Sequence, residues 1–127
     1  MGTPPSRVAL PEAHLHEQIR SFAFGLPEAW EDHPWGESVA KVGKKVFVFF
    51  GEGEPTDGSA RFSVKLPISH DEAMALTFTE PTGYGLDRGN WVTVTAPSDA
   101  PAEMLLAWVE ESYRAVAPKS LLQRLEG

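Results

Sequence analysis

Apolar residues in the first part of the chain recur at helical spacing. Leu15, Ile19, Phe22, Ala23 and Leu26 form one stripe between Pro11 and Leu26. Gly25 and Pro27 end it where helix breakers belong, so a helix is predicted there. Glu28 to Gly36, with Trp30, Pro34 and Trp35, follows neither the helical nor the strand period and predicts an ordered connection. Beyond it the spacing becomes that of strands. Ala40 and Val42 alternate with Lys41, Gly43 and Lys44 suit a hairpin turn, and Val46 to Phe50 predicts a short buried strand. Gly51 to Ser59 is a polar loop containing Pro55. Phe62, Val64 and Leu66 then alternate with Arg61, Ser63 and Lys65, a strand with one wet face.

Ser69 and Glu72 stand at capping-box spacing before Ala73, Met74 and Leu76, which predicts a short helix to about residue 78. Strands are expected near Thr82 to Leu86 and from Trp91 to Thr95, joined by the turn residues Asp87 to Asn90. The last helix is the clearest element. Pro101 suits its first position, Ser98 or Asp99 can cap it, and Pro118 stops it. Leu105, Trp108, Val109, Ser112 and Val116 make its inner stripe; Glu103, Glu110 and Glu111 make its wet face. Leu121 to Leu125 adds a last turn.

The order α-β-β-β-α-β-β-α predicts an α+β fold of two layers, a mostly antiparallel five-stranded sheet covered by helices on one face. Residues 1–11 read as a leader and 12–127 as a single domain. The uncovered face then carries Lys41, Arg61, Ser63 and Lys65, and is the natural functional surface.

Composition narrows the chemistry. The 127 residues are 42% hydrophobic and 23% charged, which suits a globular core. The absence of cysteine excludes disulfides, a thiolate nucleophile and Cys-based zinc, and favours a reducing, cytoplasmic setting. No run of about eighteen apolar residues occurs, so no membrane is expected as a partner. Met1 to Pro11 lacks the features of a signal peptide, and Gly2 with Ser6 meets only the bare myristoylation pattern, interrupted by Pro4 and Pro5. A net charge of −7, from 11 basic and 18 acidic residues, argues against non-specific adhesion to nucleic acid. Locally the balance differs. Lys41, Lys44, Lys45, Arg61 and Lys65 cluster in sequence, while the acids among them, Glu52, Glu54 and Asp57, share one loop.

Reactive constellations are missing. His14 and His16 lie two apart on a helix and point to different sides; Glu12 with His16 gives only two ligands. With no HExxH present, His14, His16, His33 and His70 are expected to be ordinary surface residues. Gly83, Gly85 and Gly89 match neither GxGxxG nor the GK[ST] loop and read as turn glycines. Neither GxSxG nor SxxK occurs. No catalytic centre, metal or cofactor is expected. Of the tryptophans, Trp108 belongs to the core, whereas Trp35 and Trp91 adjoin turn residues and are open to stacking on unpaired bases.

Phe24-Gly25-Leu26-Pro27, Pro34-Trp35-Gly36 and Val42-Gly43-Lys44-Lys45-Val46-Phe47 follow one another in an order that resembles the MmcQ/YjbR family. The likeness continues through Val64-Lys65-Leu66, Tyr84, Trp91, Thr93 and Val94, and ends with Ser112-Tyr113-Arg114 and Val116. It implies a compact α+β fold similar to the bacterial frataxin (CyaY-like) and secretion-chaperone arrangements, together with a DNA-binding label that rests on fold comparison. This chain departs from the commoner pattern between Tyr84 and Trp91. Many members carry an Asn-Lys pair there and a His just before the Trp, where this chain has Arg88 as its one base, Asp87 as an acid and Asn90 in the His position.

Three readings follow. A nucleic-acid-binding module would use Lys41, Lys44, Lys45, Arg61, Lys65 and Arg88, with Trp35 or Trp91 stacking. A protein-interaction or chaperone-like module would show a broad apolar patch. A small-ligand binder would have a pocket near Pro34, Trp35, Lys65 and Tyr84. The first ranks ahead on the family's label, and a monomer is favoured.

Overall fold

The helical stripe near the N-terminus forms α1, Leu15–Phe24, in a computed structural model that describes residues 14–51, 53, 55–83 and 86–126. The leader expected over residues 1–11 lies outside that part. Leu15, Ile19, Ala23 and Leu26 are buried as the spacing predicts. So is His16, at 2% exposure, its ring edge-on to Phe50 at 5.6 Å. The expectation that all the histidines are surface residues therefore fails at His16, because packing on α1 draws in a residue next to the apolar stripe.

After α1 come β1 (Ala29–Asp32), β2 (Ser38–Val42), β3 (Lys45–Gly51), β4 (Ala60–Lys65), α2 (His70–Met74), β5 (Thr79–Pro81), β6 (Trp91–Ala96), α3 (Ala102–Val116) and α4 (Lys119–Glu126). The sheet has six strands, in the order β1-β2-β3-β4-β6-β5, and every pairing is antiparallel. Five strands had been expected. The additional one, β1, lies in the segment read as a connection: its Ala-Trp-Glu-Asp sequence has no apolar alternation, and only its pairing with β2 makes it a strand. The strand expected near Thr82 to Leu86 falls earlier in the chain, and Tyr84 and Gly85 of that range lie outside the described residues. That strand is β5, and it pairs with β6. The turn at Leu121 to Leu125 is instead a full helix, α4.

Local signals shaped the rest. Gly43 adopts φ +62° in the two-residue turn between β2 and β3, a conformation glycine takes at little cost. At α2 the expected capping box does not form, since Ser69 makes no side-chain cap. Instead the Glu111 carboxylate on α3 accepts from the Ile68 and Ser69 backbone N–H groups at 2.7 and 2.9 Å. A long-range acid thus takes the N-cap N–H that the local acid Glu72 was expected to accept from.

Helices cover one side of the sheet. Ala40, Val42, Val48, Phe62, Val64, Leu66, Val92 and Val94 join Ile19, Leu105, Trp108 and Val109 in one core. Trp108, at 4% exposure, lies in that core as its helical spacing predicts.

One helix also supplies a piece of the sheet's bonding. β3 and β4 share only two registered pairs, Val48 with Val64 and Phe49 with Ser63. Where the strands part, the buried Ser112 hydroxyl of α3 donates to the Phe47 carbonyl at 2.6 Å and accepts from the Lys65 N–H at 2.8 Å. It thereby occupies two backbone groups that burial would otherwise leave unpaired. Next to it Tyr113, fully buried, stands edge-on to Phe47 at 5.2 Å and donates its hydroxyl to the Pro27 carbonyl at 2.7 Å. Burial pushes the Tyr113 phenol above its ordinary range.

Candidate functional site

The alternation that sends Phe62, Val64 and Leu66 inward sends Arg61, Ser63 and Lys65 to the opposite face. Strand register carries the pattern across the whole sheet. Asp32, Val39, Phe49, Ser63, Thr93 and Glu80 are successive partners from one edge to the other. Beside that row lie the partners Trp30 and Lys41, then Lys65 and Trp91. Arg61 pairs with Thr95 on the far side of the row.

The middle of this face is sealed. Val39 is fully buried, and Ser63 and Trp91 are 9% and 8% exposed. The Trp91 ring packs edge-on against Phe49 at 5.1 Å. Hydroxyls fill the polar positions: Ser63 Oγ lies 2.9 Å from Thr93 Oγ1, and Thr93 Oγ1 lies 3.0 Å from Thr82 Oγ1. These hydroxyls bond to one another, and the acids Asp32 and Glu80 stand at the two ends of the row.

At the β1 edge an aromatic surface is held open. Trp30 is 44% exposed, its indole N–H donates to the Gly43 carbonyl at 3.1 Å, and Lys41 Nζ lies 5.0 Å from its ring centroid. Lys41 also donates to the Asp32 carboxylate at 3.0 Å. That bond, with the His33 backbone N–H, holds the Asp32 carboxyl below its usual range.

The nominated residues therefore divide. Lys41, Arg61, Lys65 and Trp91 share the uncovered face. Lys44 projects from the hairpin turn and Lys45 pairs with the inward-facing Val42, so neither joins them. Tyr84 and the side chains of Trp35 and Arg88 lie outside the described part, and with them most of the pocket expected near Pro34. Trp91 offers no open ring face for a base. Trp30 does, although the sequence marked it only as one of the tryptophans. The cue was its position opposite Lys41, which no local pattern reveals.

Acids concentrate on the other side. Glu17, Asp71, Glu72, Glu103, Glu110 and Glu111 lie on α1, α2 and α3, whereas only Asp32 and Glu80 among the described acids fall on the open rows. At the β1 edge Glu31 turns to the helix side, where Ser38 Oγ donates to it at 2.7 Å and Arg20 Nη2 at 3.1 Å, and His33 Nε2 lies 3.1 Å away. The Ser38 hydroxyl, opposed by partial burial and helped by Arg20 and His33, holds the Glu31 carboxyl below its ordinary range.

Among the described residues the exposed large apolar side chains are Trp30 and Ile68, the latter at 85%. Ile68 borders a groove of about 400 Å³ against Ala107, Glu111 and Ala115 of α3, on the helix side. The two lie on opposite sides of the sheet and build no common patch. Among the described residues no three His, Asp or Glu side chains gather around a possible metal position, and no helix is long and apolar enough to cross a membrane.

Asn90, immediately before Trp91, has φ +67°. Asn is enriched in this left-handed conformation, which suits the turn that leads into β6.

Together these features define an α+β domain with one face sealed by helices and one polar, partly cationic open face. The YjbR family model matches residues 24–115, and the chain belongs to that family. Among solved structures it is similar to Deinococcus radiodurans protein DR2400, which carries a DUF419 domain. The two are 27% identical with a TM-score of 0.61, over 79% of this chain and 76% of that one. No curated protein matches.

Proposed function

We propose that this protein is a non-catalytic binding module that holds a single-stranded nucleic acid on the open face of its sheet. The observation that carries the reading is register: Trp30, Lys41, Lys65 and Arg61 are delivered to one face while the helices carry most of the acids. Backbone phosphates supply the attraction to such cations, and an exposed indole supplies a platform for an unpaired base. The self-bonded hydroxyls of Ser63, Thr93 and Thr82 form an uncharged polar patch on the same face, with the acid Glu80 at its edge. Asp32 and the overall charge of −7 limit the affinity, so binding is expected to be weak and strongly dependent on salt.

Anisotropy of a labelled single-stranded oligonucleotide at about 50 mM and about 200 mM salt tests this. Binding at the lower salt that falls steeply at the higher is the expected result. Arg61→Gln should flatten the salt slope by about one, and Trp30→Ala should weaken binding at both salts. An absence of binding at the lower salt ends the reading.

A further inference from the structure

Two hydrogen-bond donors on the open face flank one space, and among the described residues neither has an acceptor. A Cβ built on Gly89 would stand 3.1 Å from Lys65 Nζ, 3.4 Å from Trp91 Cδ1 and 3.7 Å from Trp91 Nε1. The lysine ammonium and the indole N–H therefore flank the same small volume, open because residue 89 has no side chain. Lys65 and Trp91 are cross-strand partners, so the pair is set by sheet register and not by a loop. Among the described residues neither group has a hydrogen-bond or ion-pair partner. The Trp91 side chain as a whole is more than nine-tenths buried, which fixes the indole in place while its N–H faces the opening beside Gly89. Both groups donate and neither accepts, so the ligand that completes them is an acceptor with negative charge.

We propose that Lys65 and Trp91, with Gly89 providing the space, form a subsite for a single phosphoryl group. The ammonium neutralises charge and the indole N–H fixes one oxygen. The hydroxyls of Ser63 and Thr93, two residues along β4 and β6 on the same face, bond to each other and leave the subsite to Lys65 and Trp91. The subsite rests on the reading of the open face as the nucleic-acid surface, where it would take a phosphate of the bound strand. A small phosphorylated metabolite would offer the same group.

The Trp91 indole N–H resonance, identified by its loss in Trp91→Phe, reports the subsite directly. Titration with inorganic phosphate at constant ionic strength should shift it saturably, and chloride should not. Lys65→Met should weaken the phosphate response about tenfold, with Lys65→Arg restoring part of it. Gly89→Leu should abolish the response by filling the space, and a thermal melt shows that each variant is folded. A silent indole resonance, or an equal response in folded Lys65→Met, overturns the subsite. The sources are separated by comparing an oligonucleotide carrying a 5′-phosphate, the same oligonucleotide without it, and a nucleoside monophosphate. A phosphate response without oligonucleotide binding keeps the subsite for a small ligand and refutes the open-face reading. Oligonucleotide binding with a silent Trp91 does the reverse.

Discussion

The same strands present two faces that solve opposite problems. Inward, Phe62, Val64 and Leu66 are almost completely buried among helix side chains, and the backbone groups left between β3 and β4 are taken up by Ser112. Outward, Arg61, Ser63 and Lys65 share a face with a row of hydroxyls, the Lys41–Asp32 ion pair and, among the described residues, two donors without acceptors. The covered face is complete in itself. The open face is incomplete where Lys65 and Trp91 meet, and incompleteness of that kind is what a ligand repairs.

That contrast can be broken most forcefully at neighbouring residues of β4. Phe62→Ala should cost about 4 kcal/mol by leaving a cavity, whereas Ser63→Ala should cost about 1 kcal/mol or less. Urea unfolding with unchanged slope measures both, and similar losses at the two positions would erase the distinction between the faces.

Ser112→Ala comes next. It leaves the Phe47 carbonyl and the Lys65 N–H without their buried partner, and a loss of about 3 kcal/mol is expected. A loss below about 1 kcal/mol would mean that the strands close up and need no help from the helix.

Tyr113→Phe removes a single hydrogen bond, to the Pro27 carbonyl, and keeps the ring against Phe47. About 1 kcal/mol is expected, visible as a few degrees in the thermal midpoint.

The smallest effect is that of pH at the β1 edge. The Glu31 carboxyl is held below its unfolded value of 4.5, chiefly by Ser38. Its contribution is therefore fully present above that value and disappears as pH falls through the lowered folded value. Glu31→Gln should make stability less sensitive to acid in that window and leave the open face unchanged. An equal acid response in wild type and variant would show that this network contributes nothing measurable.

The motifs that resemble the family turn out to meet in space. Pro27, Phe47 and Lys65 belong to three separate stretches, and the first two supply carbonyls and the third an N–H to Ser112 or Tyr113. Together with the Gly43 turn they are scaffold, which explains how a sequence likeness can identify the fold and still leave the function open. The candidate site was legible only in part. Lys41, Arg61 and Lys65 could be placed on one face from alternation alone, but the sealing of Trp91, the opening of Trp30 and the departure of Lys44 and Lys45 could not. Each depends on which strand lies next to which.

By itself the sequence determined the periods: helical stripes for α1 and α3, alternation for β4 and β6, and a glycine turn between β2 and β3. These arise within a few residues, from the geometry of helix and strand, and need no distant partner. Tertiary structure alone decided that Ala29–Asp32 is a strand, that Glu111 caps α2, that His16 is buried, and that an ammonium and an indole N–H converge beside Gly89. All of these join residues far apart in the chain, whose meeting is fixed by packing and register and by nothing written locally.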